Sequence, residues 1–360
     1  MEHFEYIVNA SLALRKITSI NVYNPEGRPF QMRPQLHVFF CQPYGSGKSS
    51  VFKQIRRVIG DDCIIEDDFT MPGFLGSVDK HRCYVPGEIN DVGGKVMCID
   101  EWNNLNTDAR HCLLSVLENN TFKRKLGYAL KDKDSMYFKD EFTDITVDKS
   151  SIRGSVYFTC IAGAMFFPKE EKINAKVKEE ALLSRFMPHF REFELKDYMK
   201  LTRGSMYNNF EDYCAPGLRV VNVKPIRELH KAYWDHLNSL DAFEQIPSDR
   251  RGYASRVWMD FIRFGVFNYI REHNVNKRLV TIRSPRWFLR DMEMRIGLQL
   301  AMYIHKDLMS NYELFVLLSA RHPDWSTADF MRELDVTERT IRRYRARAGM
   351  SVVDSEEVVS

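Results

Sequence analysis

No stretch of the 360 residues stays apolar for the roughly 20 positions that a membrane helix needs. The opening MEHFEYIVNASLALRK is acidic at Glu2 and Glu5 and holds no signal-type apolar run. A soluble, cytoplasmic protein is expected. The seven cysteines (Cys41, Cys63, Cys83, Cys98, Cys112, Cys160 and Cys214) are odd in number and never fall in a CxxC or CxxH spacing. That argues against a disulfide framework and against a zinc ribbon, and they read as reduced thiols, mostly in the core. Charge of one sign is also scarce: the net is +3, so any nucleic-acid contact must come from local basic patches. Internal repeats and low-complexity tracts are missing. What is present is globular composition, 44% hydrophobic and 28% charged, on a chain long enough for two or three domains.

An amphipathic start (Phe4, Ile7, Val8, Leu12, Leu14) is followed by the turn Asn24-Pro25-Glu26-Gly27. Short apolar runs at Gln35–Cys41, Lys95–Ile99 and Ser155–Ala162 predict buried parallel strands. Helical periods fall between and after them, at Ser49–Gly60, Asn106–Glu118 and Glu170–Arg185. Alternation of this kind predicts a parallel α/β sheet. From about residue 200 strand signals fade, and Pro225–Asn238, Ser255–His273 and Pro285–His305 read as long helices of a second, helical domain.

Between the first strand and the first long helix stands Gln42-Pro43-Tyr44-Gly45-Ser46-Gly47-Lys48-Ser49. This is the context of a P-loop, and Pro43, Tyr44, Gly45, Ser46, Gly47, Lys48, Ser49 and Ser50 form the expected nucleotide-binding set. Glycines let backbone N–H groups turn toward phosphate, the helix N-terminus adds positive potential, Lys48 reaches the terminal phosphates and the Ser49 hydroxyl ligates Mg2+. ATP and Mg2+ are the cofactors so implied. Gln42 occupies the motif's first glycine position, where a side chain fits only if φ is negative. After the next strand, Asp100 is expected to hold the Mg2+ water shell and Glu101 to polarise the attacking water, unless the pair merely caps a helix.

The stretch Cys98-Ile99-Asp100-Glu101-Trp102-Asn103-Asn104-Leu105-Asn106 resembles the C-I-D-E-F-D-K-M-N stretch of the minichromosome maintenance (MCM) replicative helicases, and Leu182-Leu183-Ser184-Arg185-Phe186 is similar to their L-S-R-F motif. The likeness spans roughly residues 1–305. It implies an AAA+ P-loop core over 1–200, with a helix-2 insert near Phe69–Gly94 and a pre-sensor hairpin. It further implies a helical lid over 201–308, a helix-turn-helix (winged-helix-like) module over 309–350 and a flexible tail over 351–360. Arg185 is then an arginine finger supplied to the neighbouring subunit of a hexameric ring. The family's first sensor is an Asn; here Thr159 is the nearby polar group, read equally as a sensor or as a core threonine. Arg256 is the choice for the second sensor, with Arg283 as its rival. With no N-terminal domain ahead of the P-loop, a core-only form from a virus, plasmid or other mobile element is expected, working in a prokaryotic or virus-infected cell.

For DNA, the long stretch Leu126–Gly154 takes the place of the pre-sensor hairpin, with Lys131 and Lys133 at its tip; a solvated, mixed-charge hairpin is the plainer reading. Lys80, His81 and Arg82 in the insert form a second candidate loop. At the C-terminus, Ser326–Leu334 with Ala328, Met331 and Leu334 inward, then Thr337–Ala348 with Ile341 and Tyr344 inward, has helix-turn-helix spacing. Its second helix exposes Arg339, Arg342, Arg343 and Arg345, which suit either DNA phosphates or a partner protein. The expected function is an ATP-driven DNA helicase or translocase. An ATP-switched initiator or loader is the alternative.

Overall fold

The computed structural model describes residues 3–23, 27–43, 45–67, 69–131, 135–166, 185–190, 194–204, 206–224, 226–239, 253–293, 295–297, 312, 315–316, 318–319, 322–334 and 336–348. In chain order these form α1 (His3–Leu14), β1 (Ser19–Tyr23), β2 (Pro29–Met32), β3 (Val38–Pro43), α2 (Lys48–Ile59), β4 (Cys63–Glu66), α3 (Met71–Leu75), β5 (Ser77–Val78), β6 (Tyr84–Val85), β7 (Val96–Ile99) and α4 (Thr107–Asn119). They continue with β8 (Thr121–Lys125), β9 (Met136–Lys139), β10 (Thr143–Asp148), β11 (Ser151–Val156), β12 (Thr159–Phe166), β13 (Met187–Phe190), α5 (Leu195–Thr202), β14 (Val220–Val223), α6 (Ile226–Ser239), α7 (Tyr253–Glu272), β15 (Leu279–Ile282), α8 (Arg286–Leu289), α9 (Thr327–Leu334) and α10 (Glu338–Arg347).

The central sheet is all parallel, in the order β13-β3-β12-β7-β4. Its strands read as unbroken apolar runs because both faces are covered. In β3, Val38 and Phe40 enter one core while Phe39 and Cys41 enter the other, and in β7 Val96 and Cys98 part from Met97 and Ile99 in the same way. The first core takes α1, α2, α6 and α7; the second takes α4 and the inner face of an antiparallel sheet, β8-β11-β10-β9. Helix α2 presents Val51, Phe52, Ile55 and Ile59 on one stripe, and Gly60 ends it at φ 58°.

Four expectations are corrected. The run Ser155–Ala162 is two strands: Val156 closes the antiparallel sheet, and β12 starts at Thr159 and runs on to Phe166. The small residues Gly163 and Ala164 hid this extension; a Cβ on Gly163 would approach Phe40 Cζ to 3.0 Å, so the bulk of the neighbouring strand requires them. Residues 201–308 are not purely helical, because β14 and β15 join β1 and β2 in a second sheet, β15-β14-β1-β2. Four-residue strands such as Val220–Val223 leave too short a pattern to stand out between long helices. The first core spans Phe4 to Ile296 and so draws on both sides of residue 200.

The helix expected over Pro285–His305 breaks after Leu289, where Arg290 turns extended and Asp291 takes φ 53°. Arg295 satisfies the freed carbonyls, donating from Nη2 to Phe288 at 3.0 Å and from Nε to Asp291 at 3.3 Å. Residues 298–311, 350–360 and most of Glu170–Arg185 lie outside the described residues. In α9 the inward residues are Phe330 and Leu334, with Met331 half-buried and Ala328 exposed, while Ile341 of α10 is buried and Tyr344 half-buried as the period predicts. All seven cysteines are free thiols, four of them buried.

Arg15 clamps the P-loop helix to the N-terminal helix. Its side chain, 4% exposed, pairs with Asp62 at 2.9 Å just past α2 and with Asp212 at 2.7 Å. Burial opposes charge on Asp62, but hydrogen bonds from Lys16 and Arg15 prevail and hold its carboxyl below the ordinary value. This stabilisation is therefore fully present above the ordinary carboxylate range and is lost as pH falls from there through the depressed native value. Arg15→Ala is expected to cost about 2–3 kcal/mol by urea unfolding at neutral pH, less than a fully buried pair because both carboxylates keep some water. The cost should shrink toward acid pH.

Candidate nucleotide site

The loop after β3 is shaped by two glycines with left-handed backbones, Gly45 at φ 74° and Gly47 at φ 78°. Gly47 also sits under α5: a Cβ there would lie 2.5 Å from Leu201 Cδ1. Gln42 is not among the described non-glycine residues with positive φ, which are Arg82, Asn120, Tyr207 and Asp291. The backbone therefore tolerates its side chain, and that side chain braces the loop. Its buried Oε1 accepts from Ser46 Oγ at 3.2 Å and from Tyr207 OH at 3.2 Å. Tyr44 lies outside the described residues. Pro43 ends β3, and Ser50, in the first turn of α2, donates its N–H to the Gly47 carbonyl at 2.9 Å.

Although β12 separates β3 from β7, the fold brings the loop and the acid pair into contact. Ser49 Oγ donates to Asp100 Oδ2 at 2.5 Å, and Lys48 Nζ lies 3.6 Å from Glu101 Oε1. Asp100 is tethered by its own N–H, which donates to the Glu66 carbonyl at 3.0 Å. The other carboxylate oxygens, Asp100 Oδ1 and Glu101 Oε2, are buried without a hydrogen-bond partner. A buried acceptor left open beside a hydroxyl and a second carboxylate is the donor set a hard cation takes, so these residues fit Mg2+.

Thr159 does not belong to this site. It pairs with Val96 at the opening of β7, its N–H donates to the Lys95 carbonyl at 3.0 Å, and its side chain is buried at the opposite end of the sheet. The misreading follows from the strand boundary: with β12 running to Phe166, the phosphate end of the strand carries Gly163, Ala164, Met165 and Phe166, all apolar.

Arg185 precedes β13, whose first residue Met187 is in register with Val38, the start of β3. It donates from Nε to the Leu114 carbonyl at 2.8 Å and pairs with Glu118, both on α4. At about 3.3 Å per residue, the six residues of β3 put it roughly 20 Å from its own phosphate loop. Arg256 lies at that same far end, close enough to act on the charge of His37, just before β3. Arg283 is exposed beyond β15 in the second sheet.

The two candidate DNA loops are neighbours. The exposed Lys131 donates its N–H to the Arg82 carbonyl at 3.0 Å, and Leu130 donates to the Lys149 carbonyl at 2.8 Å. Lys133 lies outside the described residues. The turn of the β10–β11 hairpin is Lys149-Ser150, which the sequence reading missed; the alternation in Thr143–Val147 and Ser151–Val156 around Asp148-Lys149-Ser150 is the signal that marks it. On α10, Arg339, Arg342 and Arg343 are exposed and Arg345 is half-buried, with Arg342 donating to Glu338 at 2.6 Å.

No family model matches the chain, and no curated protein does. No helix among the described residues is long and apolar enough to cross a membrane.

Gln42→Gly restores the residue more usual at that position but strips Ser46 and Tyr207 of their shared acceptor. The expected result is a loss of about 1–3 kcal/mol in urea unfolding. An unchanged midpoint would contradict the bracing role.

Proposed function

We propose that the chain is an ATPase of the MCM-like AAA+ kind that acts on DNA as a ring of copies, most simply as a helicase or translocase. The observation that carries this reading is the meeting of Ser49 with Asp100 and of Lys48 with Glu101 at one end of a parallel sheet. Two motifs 51 residues apart converge there with the residue types that nucleotide hydrolysis needs.

In the proposed reaction the N–H groups around Gly45 and Gly47 and the start of α2 hold the phosphates. Lys48 leaves Glu101 and turns to the terminal phosphates, which frees Glu101 to take the proton of the attacking water. Ser49 and Asp100 would hold Mg2+, which would supply positive charge to offset that of the phosphates. Arg185 cannot serve its own loop across the sheet, which supports its role as a finger for the next copy in a ring, hexameric by resemblance to MCM. Lys131, Lys149 and the turn at Arg82 supply clustered positive charge for a DNA backbone, and α9–α10 supply a second basic surface with the spacing of a helix-turn-helix.

The initiator or loader reading has one observation in its favour. Among the described residues, this end of β12 carries Gly163, Ala164, Met165 and Phe166 and no polar residue type, so Glu101 would orient water without a sensor from them.

Forked DNA separates the two. A helicase displaces a strand in the presence of ATP and magnesium and hydrolyses faster with DNA; a switch binds DNA with ATP and displaces nothing. Glu101→Gln should retain nucleotide and lower hydrolysis at least about 100-fold. Hydrolysis by Glu101→Gln at the wild-type rate would remove this residue from the chemistry. Replacing Lys131 and Lys149 together by Ala should reduce the slope of log affinity against log salt by about 2, with little change in hydrolysis without DNA.

A further inference from the structure

The end of the central sheet farthest from the phosphate loop carries positive charge that the chain does not fully compensate. The buried Arg263 donates from Nε and Nη2 to the Arg33 carbonyl at 3.1 and 2.9 Å, and from Nη1 to Asp260 at 2.6 Å. The Arg33 guanidinium is placed differently: its Nε and Nη1 are buried and have no hydrogen-bond partner. Burial, then Arg263 and Arg256, oppose charge on Arg33, while Asp260 and Glu118 favour it. Glu118 is the carboxylate that Arg185 grips. His37 adds no charge, because burial and then Arg33, Arg263 and Arg256 push its pKa well down, and its Nδ1 accepts the Cys160 N–H at 3.1 Å.

Arg33 thus lies within electrostatic reach of Arg256 and of Glu118, the carboxylate that pairs with Arg185. Arg33 is half-buried as a whole, and a guanidinium keeps its proton, so two buried donors without partners are costly and mark a place where an anion completes the arrangement. The chain's own nucleotide cannot be that anion, because β3 holds the two sites roughly 20 Å apart. We propose that Arg33 is a further arginine which this face presents, with Arg185 and Arg256, to the terminal phosphates of a nucleotide held by a second copy of the chain. The proposal rests on the ATPase reading of the phosphate loop.

Arg33→Met tests it against a structural role, because an apolar side chain of similar length replaces an unpaired charge. The variant should melt at the wild-type temperature or above while hydrolysis falls at least about 100-fold, and Arg33→Lys should keep part of the rate. Mixing Arg33→Met with Lys48→Ala, each inactive alone, should restore hydrolysis, since the intact loop of one copy meets the intact Arg33 of the other. Wild-type hydrolysis in Arg33→Met overturns the proposal. A lowered melting temperature with no recovery in the mixture assigns Arg33 to the fold and also overturns it.

A second readout does not depend on hydrolysis. In Lys48→Ala, whose own loop is disabled, tripolyphosphate should raise the melting temperature, and adding Arg33→Met should abolish the rise. No rise in Lys48→Ala overturns the anion site even where the wild type hydrolyses ATP. Protection through Arg33 in a chain whose wild type binds no ATP refutes the ATPase reading and, with it, the nucleotide as the anion.

Discussion

The hydrogen bond from Ser49 to Asp100 joins two strands that never touch. Because β12 lies between β3 and β7, the loop and the acid pair meet only if the sheet is parallel, in register and twisted enough for the strand ends to converge. The two-sided burial of β3 and β7 secures that register, since a slip of one residue would move every side chain to the opposite core. The contact is made with unused capacity. One oxygen of Asp100 and one of Glu101 are buried without a hydrogen-bond partner, an arrangement that fits the proposed cation.

The polarity of the sheet also sorts the charged groups. Asp100, Glu101 and Lys48 meet at one end, while Arg33, Arg185, Arg256 and Arg263 collect at the other, with Glu118 and Asp260 among them. A single copy cannot bring the two ends together. Copies arranged head to tail can, because the same pair of unlike surfaces then repeats at every contact and closes a ring if the rotation allows. The antiparallel sheet β8-β11-β10-β9 hangs from the arginine end, where Val156 donates to the Asn120 carbonyl and Gly94 to the Tyr157 carbonyl, both at 2.8 Å. Its Glu141 pairs with Arg219 beside the second sheet, so the elements proposed to meet DNA are tied to the body on two sides.

Much of the candidate site was legible in the sequence because the P-loop pattern sets residue types at fixed spacing. Gly45, Gly47, Lys48 and Ser49 announce themselves between an apolar strand and a helix, and Asp100-Glu101 do so after a second apolar strand. Thr159 was misplaced because strand ends are set by packing: Gly163 and Ala164 look unlike strand residues, and only the bulk of Phe40 explains them. The second sheet was missed for a related reason, since its strands are four or five residues long and β1 finds β14 some 200 positions away. Arg33 carries no motif at all. Its meaning lies in lacking a partner, and a sequence does not display that.

The central claim is that Lys48, Ser49 and Asp100 hold a nucleoside triphosphate together with a cation. Calorimetric titration of the whole chain with ATP, with magnesium and then with chelator, tests it most directly. Saturable binding of one nucleotide per chain, weakened at least about tenfold when the metal is removed and again in Asp100→Asn, is the result this account requires. Folded protein that takes up no nucleotide under either condition would contradict it.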